Sequence, residues 1–107
     1  MAEAMLLGKP VIATGYSGNV DFTTPDVARL VRWQPTTVPK TAHPYRPGAM
    51  WAEPDLGHAS ELMRAMFDEQ EKARQLGIAG QARLRENYSL DLCGARMRRR
   101  LEEIWTT

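Results

Sequence analysis

The chain has 107 residues, 43% hydrophobic and 25% charged, with a formal net charge of +1. It is large enough for one globular core, and its near-neutral balance excludes a bulk field directed at nucleic acid or an anionic membrane. One cysteine, Cys93, excludes an internal disulfide framework and a paired-thiol metal site, and the lack of a signal pattern or bilayer-length apolar run makes a cytoplasmic address the expectation.

Ala2 to Leu7 are good helix formers, Gly8 stands where a helix C-terminal cap is favoured, and Pro10 cannot continue the helix. Val11, Ile12 and Ala13 are a short apolar run without alternation, suited to a strand covered on both faces. Thr14 to Asn19 then form a polar loop containing Gly15 and Gly18. Helix, turn, buried strand and glycine-containing loop make one unit of an α/β fold, whose ligands gather at the carboxyl ends of the strands.

"VARLVRW", Val27 to Trp33, reads as a second strand nearer an edge, although its alternation is imperfect. Gln34 to Gly48 hold four prolines and little apolar material, which predicts a loop excursion. "MWAEPD" reads as a brief extended segment closed by Pro54, with Asp55 as the N-cap of a helix.

From there the chain is expected to be helical. Ala59, Leu62, Met63 and Met66 place one apolar stripe on a helix from His58 to about Ala73. Leu76, Ala79 and Ala82 suggest a second helix, weakened by Gly77 and Gly80 at roughly 1 kcal/mol each unless close packing compensates. "NYS" marks a break, with Ser89 as N-cap. The final helix carries Leu90, Cys93, Met97, Leu101 and Ile104 on one face.

Few residues suggest chemistry. Glu3 is either a solvent-facing helix carboxylate or an acceptor for vicinal sugar hydroxyls, since a fixed carboxylate offers two oxygens to two neighbouring donors. The loop "TGYSGNVD" has a phosphate-binding flavour because glycine lets backbone amides approach an anion, but it matches neither GxGxxG nor the Walker A pattern. Asp21 could equally cap the following turn. His43 and His58 stand without ligand-spaced partners, and Ser17 lacks the nucleophile-elbow spacing. Arg96, Arg98, Arg99 and Arg100 lie opposite the apolar stripe and are followed by Glu102 and Glu103, which favours a solvated face over an RNA contact. Cys93 falls on the stripe and reads as a small buried hydrophobe.

Taken together, "EAMLLGKPVIATGYSGNVDF" resembles the segment after the nucleotide-contacting loop in retaining glycosyltransferases of GT-B fold, the group that includes glycogen and sucrose synthases. There an E-x7-E pattern ends in a glutamate followed by Ala-Met, a glycine, a proline and a short apolar strand. Glu3-Ala4-Met5, Gly8, Pro10 and Val11-Ile12-Ala13 match it, and "PYRPGAMWAEPD" and "ARLRENYS" look like the later part of bacterial members.

The resemblance implies a partial Rossmann-like donor-binding domain over residues 1–107, divided into an α/β portion (1–57) with a long Pro-rich loop and C-terminal helices (58–107). It is expected to carry a short parallel sheet of two or three strands and three helices. The first glutamate of the pattern falls upstream of Met1, so the chain is expected to be a truncated and inactive piece of the enzyme. The implied parent transfers a sugar, with retention, from a nucleotide-sugar donor (UDP- or GDP-linked foremost) to a sugar, lipid or protein acceptor, without a bound metal or other cofactor. The full enzyme could be membrane-peripheral.

Donor-site positions carried over are Glu3, on the ribose hydroxyls, and Ser17, Gly18 and Asn19 in the following loop. Ser17 replaces one glycine of the pair common in relatives, and no residue that performs the transfer itself is carried over. The last helix could lack its normal cover and self-associate. The alternative reading is a small non-catalytic α/β interaction module.

Overall fold

The computed structural model describes residues 1–106. Four helices, α1 (Ala2–Leu6), α2 (Leu56–Asp68), α3 (Gln70–Asn87) and α4 (Leu90–Trp105), accompany four strands, β1 (Ile12–Thr14), β2 (Arg29–Val31), β3 (Trp33–Thr37) and β4 (Met50–Pro54). β1 and β2 pair in parallel, with Ala13 opposite Leu30, while β3 and β4 form a separate antiparallel hairpin, with Pro35 opposite Ala52. The fold is therefore mixed α/β, with a two-stranded parallel sheet and a run of C-terminal helices.

Gly8 ends α1 as the sequence predicts. At a φ of 70° it adopts the left-handed conformation that glycine enters without a Cβ penalty. Its N–H donates to the Met5 carbonyl (2.8 Å) and that of Lys9 to the Ala4 carbonyl (2.9 Å), the paired bonds of a Schellman stop. Gln81 Nε2 of α3 satisfies the Leu6 carbonyl as well (2.7 Å).

The glycines of α3 have their compensation here. A Cβ on Gly77 would collide with the Gly8 carbonyl, and one on Gly80 would crowd Met5 and the Val27 carbonyl. Small residues bring the α1 turn directly onto the α3 backbone. Below them lies the core of Met5, Val11, Val27 and Leu84, with Ala2, Ala4, Ala13, Phe22 and Ala79 packed around it.

Three expectations need correction. Val27 to Trp33 is not one strand: Val27 and Ala28 sit in a turn, and pairing stops at Arg32. The Arg32 N–H donates to His58 Nδ1 (3.0 Å) and its carbonyl accepts from the Asp55 N–H (2.8 Å), so α2 takes both backbone groups and the chain leaves one sheet for another. Second, Gln34–Thr37 is strand and not loop; a proline is tolerated in β3 because an edge strand does not need every donor. Third, the helix from His58 does not reach Ala73. It breaks at Glu69, whose backbone (φ −112°, ψ 57°) is non-helical although neither glycine nor proline marks the place.

The Cα radius of gyration is 17.4 Å, against roughly 13 Å for a compact chain of this size, and the thinnest dimension is 18 Å. Part of the excess is α4, which contains no buried residue. Cys93 is only half-buried there, not enclosed as the stripe suggests. No helix among the described residues is long and apolar enough to cross a membrane.

Candidate functional site

Two parallel strands must be joined by a crossover, and here residues 15–28 suffice because a short 3-10 turn (Ser17–Asp21) replaces the usual helix. Gly15 anchors its start: its N–H donates to the Val31 carbonyl (3.1 Å) and its carbonyl accepts from Trp33 Nε1 (2.6 Å). Tyr16 packs edge-on against the same indole, ring centres 4.8 Å apart. Ser17 then takes a φ of 64°, left-handed and unusual for a residue with a side chain.

Asn19 closes the loop onto the strand. Its Nδ2 donates to the Thr14 carbonyl (2.9 Å) and to Thr23 Oγ1 (3.1 Å), while the fully buried Thr23 hydroxyl donates back to the Asn19 carbonyl (2.7 Å). Farther along, Tyr88 Oη donates to the Asp21 carbonyl (2.7 Å), tying the turn to the end of α3. The Asp21 carboxylate itself caps nothing among the described residues. These ties make the carboxyl end of β1 a fixed rim.

Beside that rim lies an open cleft of about 340 Å³. Ile12, Ala13 and Thr14 form its wall along β1, Tyr16 and Asn19 its upper edge, and Met1 and Ala52 its sides. The walls thus combine an apolar floor, a half-exposed phenol ring, a threonine and an immobilised amide. Such a mixture suits a flat polar ligand with an apolar face.

Of the four carried-over positions, Asn19 alone lines this cleft. Glu3 is on the first turn of α1, outside the wall, with its side chain 90% exposed and its carboxylate 3.4 Å from the Met1 ammonium. Its own backbone N–H and then that ammonium hold its carboxyl below the ordinary glutamate range. Ser17 and Gly18 are exposed on the 3-10 turn, and open space surrounds the position a Gly18 Cβ would take.

Sequence reasoning placed Thr14 and Tyr16 in the candidate loop without assigning either a role, and missed the supporting Trp33. An aromatic directly after Gly15 was a usable signal for Tyr16; the indole bond from a residue 18 positions away was not. His58, which looked isolated, is a structural acceptor for Arg32. Among the described residues, no group of three or more His, Cys, Asp or Glu side chains is placed to hold a metal ion. Comparisons with protein-family models, with curated proteins and with solved structures each found no match.

Proposed function

We propose that this chain is the donor-side part of a glycosyltransferase that takes a sugar from a nucleotide-sugar donor, with the nucleotide lying in the cleft beside β1. The observation that carries the reading is the position of that cleft: it ends at the carboxyl terminus of a parallel strand, where α/β sheets place their ligands. The Glu3-to-Ala13 residue pattern, which resembles the GT-B transferases, supports it independently.

In this reading Tyr16, held by Trp33, offers a ring for an apolar ligand face, and Asn19 and Thr14 offer polar contacts. Glu3, two residues from the Met1 side of the cleft, would accept two ribose hydroxyls, which a carboxylate can do together. The transfer would rest on positioning and on stabilising the leaving diphosphate.

Titration with UDP-, GDP- and ADP-glucose, followed by amide NMR, tests the reading. Shifts centred on Thr14, Tyr16 and Asn19, lost in Tyr16→Ala and weakened in Glu3→Gln, are the expected result. A flat response at millimolar sugar nucleotide, or shifts confined to other surfaces, would overturn it and leave the interaction module, which the exposed apolar face of α4 favours.

A further inference from the structure

Among the described residues, the last helix presents an exposed apolar stripe that no other element covers. Leu90, Met97, Leu101, Ile104 and Trp105 are all exposed, Leu90 at 91% and Trp105 at 78%. At 100° per residue these side chains fall within about a third of the helix circumference, together with Gly94. The neighbouring flank faces the rest of the chain: Arg96 donates to the Asn87 carbonyl (2.8 Å) and lies 6.0 Å from the Tyr88 ring centre. α4 is thus held by one side at its amino-terminal end, and its stripe is left open.

Leu90, Gly94, Met97, Leu101 and Ile104 follow one another at alternating steps of four and three, the spacing of a two-helix seam. Read antiparallel about a two-fold axis, this spacing is self-complementary. Leu90 faces Leu101 of the second copy, and Met97 faces Gly94, large against small at the crossing. Space for that methionine exists, because nothing lies within 4 Å of the position a Gly94 Cβ would occupy.

The charges along one edge of the stripe agree with the same register. Asp91 and Arg98, two turns apart, border a shallow groove over Gly94 and Ala95, so Arg98 flanks the stripe and does not lie opposite it as the sequence pattern suggests. In the antiparallel pair Asp91 of each copy meets Arg98 of the other, so the pairing forms twice. A parallel pair would put this edge of the two copies on opposite sides of the seam, so Asp91 and Arg98 would not meet. The geometry points to a second copy of this chain as the occupant of the α4 face, joined in an antiparallel two-fold helix pair through Leu90, Gly94, Met97 and Leu101, with Asp91–Arg98 contacts across it.

Sedimentation of the full chain tests the proposal. The wild type should move with concentration from the monomer mass of 12.1 kDa towards twice that value, and Met97→Glu should hold it at the monomer mass. Asp91→Arg and Arg98→Asp should each weaken association at least tenfold, because each homodimer then opposes like charges. An equimolar mixture of these two variants should regain the wild-type behaviour, since every cross-copy contact in the mixed dimer is again complementary. A wild type that stays monomeric at millimolar concentration overturns the proposal. So does association indifferent to Met97→Glu, or a mixture no better associated than its components.

Discussion

α3 and α4 are neighbours in the chain, and their sequences predict the opposite of their roles. α3 has a weak apolar pattern and two interior glycines, yet it holds the core together, with Leu76, Gly77, Gly80 and Leu84 all buried. α4 has a clear apolar stripe and a well-formed start, with Ser89 Oγ accepting from the Leu92 N–H (3.3 Å), yet buries no residue. Amphipathicity says that a face has something to gain from being covered. It does not say that the same chain covers it.

Close approach is a separate device. In α3 the absence of two side chains lets the α1 turn touch backbone, which no count of apolar residues would reveal. The two helices therefore should respond in opposite ways to one chemical change. Gly77→Ala drives a methyl into the Gly8 carbonyl, in a stop whose own bonds leave it little freedom to retreat, and should cost about 3 kcal/mol or more. Gly94→Ala meets open space and should stabilise the dilute monomer by up to about 1 kcal/mol through helix propensity. Urea unfolding at micromolar concentration measures both. Equal and small effects would break the contrast between the helices.

The hairpin supplies a second test, at the rim of the cleft. Trp33→Phe keeps an aromatic ring beside Tyr16 but removes the indole donor from the Gly15 carbonyl. A lost hydrogen bond of this kind costs about 1 kcal/mol. The site-specific part of the prediction is the more telling one: amides from Gly15 to Asn19 should exchange faster in the variant, while those of α3 keep their protection. Uniform loss of protection would mean that Trp33 supports the whole fold and not the loop.

Legibility in the sequence followed the range of the interactions. Gly8 as a helix stop, Asp55 and Ser89 as N-caps and the strand around Ile12 were readable, because each depends on residues within a few positions. The split at Arg32 was not. It depends on His58, 26 residues away, taking the backbone N–H that would otherwise have extended the ladder. β3 was hidden by the usual meaning of proline, which holds for central strands and relaxes at an edge. In the candidate site, the loop around Asn19 could be placed after β1 from local pattern alone. The Ala52 side of the cleft and the Trp33 support behind Tyr16 could not, since both arrive through the hairpin.

The joint between hairpin and helices offers the smallest effect, and it is set by pH. Asp55 caps α2 by accepting from the His58 N–H (2.8 Å), with Arg32 Nη2 3.3 Å from its other oxygen. The His58 amide above all holds the carboxyl below its ordinary value of 3.8; partial burial opposes it, and Arg32 adds a lesser pull in the same direction as the amide. A carboxyl depressed in the folded state contributes stability that is complete above the unfolded value and disappears as pH falls through the folded one. Asparagine can still cap but cannot titrate. Asp55→Asn should therefore melt slightly below wild type at pH 7 and converge with it near pH 2, whereas Asp55→Ala should remain below Asp55→Asn throughout. Comparing the variants, and not the acid limb of one protein, is necessary because Glu71, paired with Arg74 and lowered to about 2, and Asp26, held by Thr24, titrate in the same direction. A gap between wild type and Asp55→Asn that stays constant with pH would assign the cap to shape alone and remove charge from this joint.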